Sequence, residues 1–250
     1  MARFFIHPGR WNLDRLSLDH TEAHHCLDVL RMKIGDRATA FDGRGNEATV
    51  EIVGTARSQV DFKVLQSSKT PPLACEITLG QAIPKGKNME FIIEKATELG
   101  TAAIVPFLSD RTIVRLSEDE AHDKRGKWQR VAIEACKQCG QNRLPDIALP
   151  IAPRAFFDAR PAFDLMLIAS LQPGARHIKK VLSEFAAENG HPPARVLVLV
   201  GPEGDFTPAE VNHAQASGCH AVTLGPIILR TETAALYCLS VLSHELFATA

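Results

Sequence analysis

The chain has 250 residues, 45% of them hydrophobic, with 28 basic against 29 acidic side chains and a formal net charge of -1. That apolar content buries a core in one large or two ordinary domains and excludes a disordered chain. The charge balance excludes a global electrostatic case for nucleic acid, so any RNA contact has to come from local patches.

Six cysteines scattered singly predict free thiols in a reducing compartment rather than a disulfide framework. The start, Met1 to Pro8, predicts no signal peptide. No run approaches the roughly 20 apolar residues of a membrane span. The expectation is a cytoplasmic protein without membrane contact.

Up to about residue 70 the pattern predicts strands at Arg3–Ile6, Arg37–Phe41, Glu47–Val53 and Gln59–Leu65, interrupted by one helix. The helix starts on an Asp19-x-x-Glu22 capping pattern and sets Ala23, Cys26, Leu27 and Leu30 on one face. A small β-barrel is the natural architecture. Gly43-Arg44-Gly45-Asn46-Glu47-Ala48 has the letters of a dinucleotide fingerprint, but the strand Ala48–Val53 stands where a helix is needed, so Asp42-Gly43 and Gly45-Asn46 read as hairpin turn chemistry. The polar stretch Gln66 to Pro72, with paired prolines, reads as an extended linker and sets the expected domains at 1–70 and 71–250.

From Cys75 strands and helices alternate, which predicts a parallel α/β sheet. Strands fall at Cys75–Ile83, Ala102–Phe107, Phe163–Ala169, Arg195–Val200 and Ala221–Leu224. Met89, Ile92, Ile93, Ala96 and Leu99 form a helical stripe ending at Gly100, and Ile178–Glu188 forms a further helix. Gly80 to Asn88 misses the phosphate-binding P-loop pattern, because five residues separate its glycines and no Ser or Thr follows Lys87.

Between these lies a helix with Trp128, Val131, Ala132, Ala135, Cys136 and Cys139 on one face. Cys136 and Cys139 have zinc-like spacing, yet no second ligand pair sits at a matching interval and both fall on the apolar stripe, so no metal is expected. Lys124, Arg125, Lys127, Arg130, Lys137 and Arg143 stand against Glu134 alone. Beside Trp128 this basic segment is either a solvated helix face or a platform for RNA phosphates.

Two C-terminal stretches carry the most information. Gly201-Pro202-Glu203-Gly204-Asp205-Phe206 follows the buried strand Arg195–Val200, and Thr207-Pro208-Ala209-Glu210 then supplies a hydroxyl N-cap, a first-turn proline and a capping-box glutamate. Leu224-Gly225-Pro226-Ile227-Ile228-Leu229-Arg230-Thr231-Glu232-Thr233-Ala234 repeats the layout between the strand Cys219–Leu224 and the helix Thr233–Phe247. Ligands of open parallel sheets lie beyond the carboxyl ends of the strands, where both loops fall. The two loops, with the Arg-Thr-Glu-Thr cluster, are the candidate site.

These residues resemble the bacterial small-subunit (16S) ribosomal RNA uridine N3-methyltransferases, a family of the SPOUT class. Its members look like Gly-Pro-Glu-Gly-Gly-Phe and Leu-Gly-x-Arg-Ile-Leu-Arg-x-Glu-Thr-Ala at the corresponding places. The resemblance runs from about residue 3 to the end, through Arg31-Met32-x-x-Gly35-Asp36, Phe41-Asp42-Gly43, Lys85-Gly86, Glu94 to Gly100, Glu134-Ala135 through Gln138, and Arg143-Leu144-Pro145. Asp205 stands in place of a glycine and Ile227 in place of an arginine.

The resemblance implies an N-terminal PUA-like β-barrel that docks RNA and a SPOUT methyltransferase domain whose cofactor site lies in a trefoil knot. It implies S-adenosylmethionine as cofactor, methyl transfer to N3 of a uridine, small-subunit ribosomal RNA or the 30S subunit as partner, and a homodimer. Arg230 then stabilises charge on the deprotonated base, while Glu232 either accepts the proton or fixes Arg230. Leu199, Val200, Gly201, Pro202, Glu203 and Gly204, with Leu224, Gly225, Pro226, Ile228, Leu229 and Thr233, are assigned to the cofactor. Arg3, Arg31, Lys85, Lys87, Lys124, Arg125, Lys127 and Arg143 are assigned to RNA.

One feature of the residues agrees with a dimer: the final helix carries Ala234, Ala235, Cys238, Leu239, Val241, Leu242 and Leu246, broader than one stripe. The alternative function is an RNA-binding or ribosome-assembly module that keeps the fold with weak or lost catalysis, a reading favoured by Ile227 and Asp205.

Overall fold

The computed structural model describes residues 1–56, 58–159 and 162–247. The chain divides into two compact units, one of Met1–Pro72 with Ile133–Leu144, the other of Leu73–Ala132 with the chain from Pro145 on. The segment Ile133–Leu144 departs from the expected division. Its end is held by the Gly43 turn, where Gly45 N–H donates to Asn142 O at 2.9 Å and Leu144 N–H to Gly43 O at 2.9 Å.

In the first unit, β1 (Arg3–Phe5), β2 (Ser17–Asp19), β3 (Arg37–Phe41), β4 (Asn46–Ala56) and β5 (Gln59–Lys69) form one sheet in the order β1-β3-β4-β5-β2. Only β1 and β3 are parallel; the other pairs are antiparallel. All five strands, including the two at the edges, send side chains into one core: Phe4, Leu18, Ala40, Val50, Ile52 and Phe62 among them. A sheet whose edge strands share a core has to curl, which is the physical content of the expected barrel. At the β3–β4 hairpin the Asp42 carboxylate accepts the N–H groups of Arg44 at 2.7 Å and Asn46 at 3.0 Å, an Asx turn at the place where the sequence predicts a hairpin turn.

Two expectations are corrected in this unit. The linker is shorter than Gln66 to Pro72, because β5 continues to Lys69 by pairing with the start of β4, Asn46 opposite Lys69. The expected helix is a single turn, α1 (His20–His24), passing into a π-turn at His25–Val29. The wider turn changes the periodicity, so Ala23 and Cys26 are buried while Leu30 is exposed. The Asp19 side chain, on which the expected cap rests, lies outside the described residues.

The second unit alternates β6 (Glu76–Ala82), α2 (Asn88–Glu98), β7 (Ala103–Phe107), α3 (Glu118–Cys139, its last turns in the first unit), β8 (Asp146–Ile147), α4 (Pro153–Asp158), β9 (Leu165–Ala169), β10 (Arg176–His177), α5 (Ile178–Asn189), β11 (Arg195–Val200), α6 (Pro208–Ala216), β12 (Cys219–Thr223) and α7 (Thr231–Phe247). The sheet is parallel throughout, in the order β10-β12-β9-β11-β6-β7-β8. Central β11 is buried from Val196 to Val200, as a β-branched run covered on both faces should be. The short elements β2, β8, β10 and α4 were not anticipated.

Two further expectations change. Cys136 is buried, but Cys139 is exposed and leaves the apolar stripe. Ala234, Ala235, Cys238, Leu239, Leu242 and Leu246 of α7 are buried within the chain, where α7 packs on α2, β6 and β11. The breadth of its apolar surface therefore needs no second copy to cover it.

Candidate cofactor and catalytic site

A cavity of about 430 Å³ lies at the carboxyl ends of β9 and β11 and over the loop after β12, within the second unit. That volume falls in the roughly 300–1,000 Å³ range of small-molecule sites. The first wall is Val200, Gly201, Pro202, Glu203 and Asp205. This loop curls back tightly: a Cβ on Gly201 would meet Asp205 Oδ1 and Phe206 N at 3.1 Å.

Asp205, the residue that replaces a glycine, holds a left-handed φ of 60°. Its N–H donates to Pro202 O at 2.9 Å, and its carboxylate accepts Phe206 N–H at 2.8 Å. Aspartate tolerates this conformation through such local bonds, so the loop keeps a glycine-like shape without the glycine. Directly behind it Thr207 and Glu210 close the expected capping box and start α6.

The second wall is Leu224, Gly225, Ile227, Ile228, Leu229 and Arg230, continuing into Thr231 and Glu232 at the start of α7. Gly225, at φ 111°, takes a backbone conformation closed to side-chain-bearing residues. The Thr231 hydroxyl donates to Gly201 O at 2.7 Å and joins the two walls.

A third wall was missed by the sequence reading: Ala169, Ser170 and Leu171 after β9, with Asn88 at the start of α2. The strand-end rule that selected the other loops applies equally to β9, and its application there would have found this wall. Of the residues assigned to the cofactor, Leu199 is in the core, while Gly204, Pro226 and Thr233 do not line the cavity. Gly204 instead turns outward, its carbonyl accepting an N–H of Arg111.

Arg230 and Glu232 both line the cavity, and Arg230 is the one cation among its lining residues. No hydrogen bond or ion pair joins them among the described residues. Glu203 reaches across instead, its carboxylate accepting Lys85 N–H at 2.9 Å. The lining is thus main chain of two glycine loops, apolar side chains and a few carboxylates, a donor and acceptor set that suits an adenosyl group and an amino-acid tail. Among the described residues no group of His, Cys, Asp or Glu is arranged to hold a metal ion.

The residues assigned to RNA divide. Arg3 is held by Glu47 at 2.9 Å and Asn142, and Arg143 donates to Thr70 O at 2.9 Å. In the basic segment Arg125 donates to Ile147 O at 2.6 Å, Lys127 pairs with Glu90 at 2.6 Å and Lys137 with Glu22 and Glu134. Trp128 is buried and presents no face for a base. Arg31, Lys85, Lys87, Lys124 and Arg130 have exposed side chains.

An all-parallel sheet with a main-chain-walled cavity at its strand ends defines an α/β domain of the cofactor-binding class. The chain belongs to the RNA methyltransferase family: residues 71–243 match its RNA methyltransferase domain and residues 18–65 its RNA methyltransferase PUA domain. It is 31% identical to Ribosomal RNA small subunit methyltransferase E of Bacillus subtilis, over 98% of this chain and 97% of that one. It is 33% identical to the protein of that name from Mesomycoplasma hyopneumoniae, over 96% and 98%. Among solved structures, the same methyltransferase from Neisseria gonorrhoeae bound to S-adenosyl methionine superposes with a TM-score of 0.83 at 32% identity, covering 98% of each chain. A Legionella pneumophila protein with the bound cofactor SAM gives 0.86 at 31%, covering 98% of this chain and 97% of that one.

Proposed function

We propose that this chain is an S-adenosylmethionine-dependent methyltransferase that modifies N3 of a uridine in small-subunit ribosomal RNA. The observation that carries the reading is the cavity walled by the Gly201 and Gly225 loops, with Arg230 and Glu232 on its rim, in a chain of this family. Bound there, the cofactor supplies an electrophilic methyl group on a sulfonium. Val200 to Glu203, with Leu224, Gly225 and Ile227 to Leu229, hold it through main chain and apolar contacts.

Neutral uracil is a poor nucleophile at N3, so the protein has to remove that proton and hold the base in line. Arg230 stabilises the negative charge that spreads onto the flanking carbonyl oxygens, and Glu232 takes the N3 proton. The absence of an Arg230–Glu232 bond supports the division, since each group is then available to the base.

The exposed cations Arg31, Lys85, Lys87 and Lys124 attract phosphates; Arg3, Arg125, Lys127 and Arg143, already bonded within the protein, contribute least. The reading includes the trefoil knot of the SPOUT class, a bacterial cytoplasmic site of action and a homodimer. Leu171, Ile227 and Ile228, 61%, 73% and 77% exposed on the cavity rim, support association of two copies there. Light scattering tests it: a mass near 27.3 kDa rather than twice that value rules the dimer out.

Transfer of labelled methyl to unmodified small subunits is the test of the activity, with the product nucleoside identified after digestion. No transfer at saturating cofactor would leave the assembly-module reading, which Ile227 favours.

A further inference from the structure

Gln81 sits one residue before the end of β6, in register with Val200 of β11 and Pro106 of β7, and is wholly buried. A primary amide in the middle of a parallel sheet is unfavourable unless its bonds are made. Its Nε2 donates to Ala82 O at 2.8 Å and to Thr231 Oγ1 at 3.0 Å. Thr231, itself buried, gives its one hydroxyl proton to Gly201 O at 2.7 Å.

The direction of this chain is forced. Ala82 O only accepts, so the amide nitrogen has to face it, and Thr231, having given away its proton, has to accept as well. Gln81 Oε1 has no partner among the described residues. Leucine would fill the same space and leave no unpaired acceptor, so burial is not what the amide contributes. A donor there anchors the Thr231 oxygen through one of its lone pairs and so holds the hydroxyl with its proton on Gly201 O.

We infer that Gln81 is a positioning residue of the cofactor site: through Thr231 it ties the start of α7, flanked by Arg230 and Glu232, to the glycine loop after β11. The spacing of the two cavity walls is then set from the core of the sheet, by a residue that does not line the cavity. The inference rests on the reading that this cavity takes S-adenosylmethionine.

Calorimetry with S-adenosylmethionine on the full chain, with a thermal melt of each variant, is the test. Gln81→Leu is expected to bind about tenfold more weakly, the order of one lost buried hydrogen bond, with Tm unchanged or raised. Thr231→Val should show the same loss and Thr231→Ser wild-type affinity. The double variant Gln81→Leu with Thr231→Val should be no weaker than either single one, since both break one chain.

Affinity of Gln81→Leu within about twofold of the wild type overturns the inference. So does an affinity loss that follows a fall in Tm, or a Thr231→Ser variant as weak as Thr231→Val. The Thr231 pair keeps the test alive if Gln81→Leu does not fold. A wild-type chain that fails to bind S-adenosylmethionine overturns the proposed function as well, whereas equal binding by wild type and variants removes this inference alone.

Discussion

The carboxylate of Glu203 accepts the backbone N–H of Lys85 at 2.9 Å, so the glycine loop after β11 holds the loop that leads into α2. Glu203 is exposed, and the net value of such a bond is about 0.5–1.5 kcal/mol. Glu203→Ala should weaken S-adenosylmethionine binding by about two- to tenfold, with Tm nearly unchanged. Glu203→Gln keeps an acceptor oxygen and should bind within about twofold of the wild type. Calorimetry on both variants separates loss of the bond from loss of the charge.

Arg230→Ala should leave cofactor affinity intact and lower turnover by about 10²–10³-fold, the cost of removing one donor from developing charge, about 2.7–4 kcal/mol. Single-turnover kinetics at saturating cofactor and RNA measures it. Ile227, 73% exposed beside it, offers the converse experiment. Ile227→Arg adds a cation at the rim, so RNA affinity should rise and the slope of log affinity against log salt should steepen by about one. An unchanged slope would place that position away from the RNA.

Glu210 does more than cap a helix. Besides closing the box with Thr207, its carboxylate accepts Asp110 N–H at 3.0 Å and the Ser109 hydroxyl at 3.2 Å. Thr207→Ala removes the cap alone and should cost about 1 kcal/mol, a Tm decrease of about 2–4 °C. Glu210→Ala also leaves two donors of the Ser109 loop without their acceptor and should cost more. Equal melts for the two variants would show that the tie to Asp110 contributes nothing.

Burial pushes the thiols of Cys75, Cys136, Cys219 and Cys238 up to about 12 and that of Cys26 to about 11. At pH 8 a thiol with a pKa of about 12 is ionised in roughly one molecule in 10⁴, and thiolate is the reactive form. A disulfide reagent should therefore modify one cysteine, exposed Cys139, in the native protein and six in denaturant. The linkage has a definite sign: native thiols hold their protons more tightly than unfolded ones. This share of stability is complete below the ordinary thiol value of 9.0 and is lost as pH rises toward about 12. Melts between pH 8 and 11 follow it.

What was legible in the sequence was what neighbours in the chain determine. The capping box needs only Thr207 to Glu210, the hairpin turn only Asp42 to Asn46, and β11 announces itself by five apolar residues in a row. What was not legible depends on partners far along the chain. Strands of two or three residues such as β8 and β10 exist because β7 and β12 offer an edge. The basic segment shows its sign in the sequence but not that Lys127 meets Glu90 or that Lys137 meets Glu22. The apolar breadth of α7 was visible, whereas its coverage by α2 and two strands was not.

The strand order carries a consequence for synthesis. β6 is made early, yet its neighbour β11 arrives only after β7, β8, β9 and β10 have been made, and the parallel pairing of Glu76 with Arg195 waits for it. Until then a growing chain holds β6 with one edge bare, a long-range closure of the kind that folds slowly. Gly201, Gly225 and Arg230 come later still, and Gly45 must itself wait for Asn142. A nascent chain thus carries no finished cavity until the residues through Ala234 have been made.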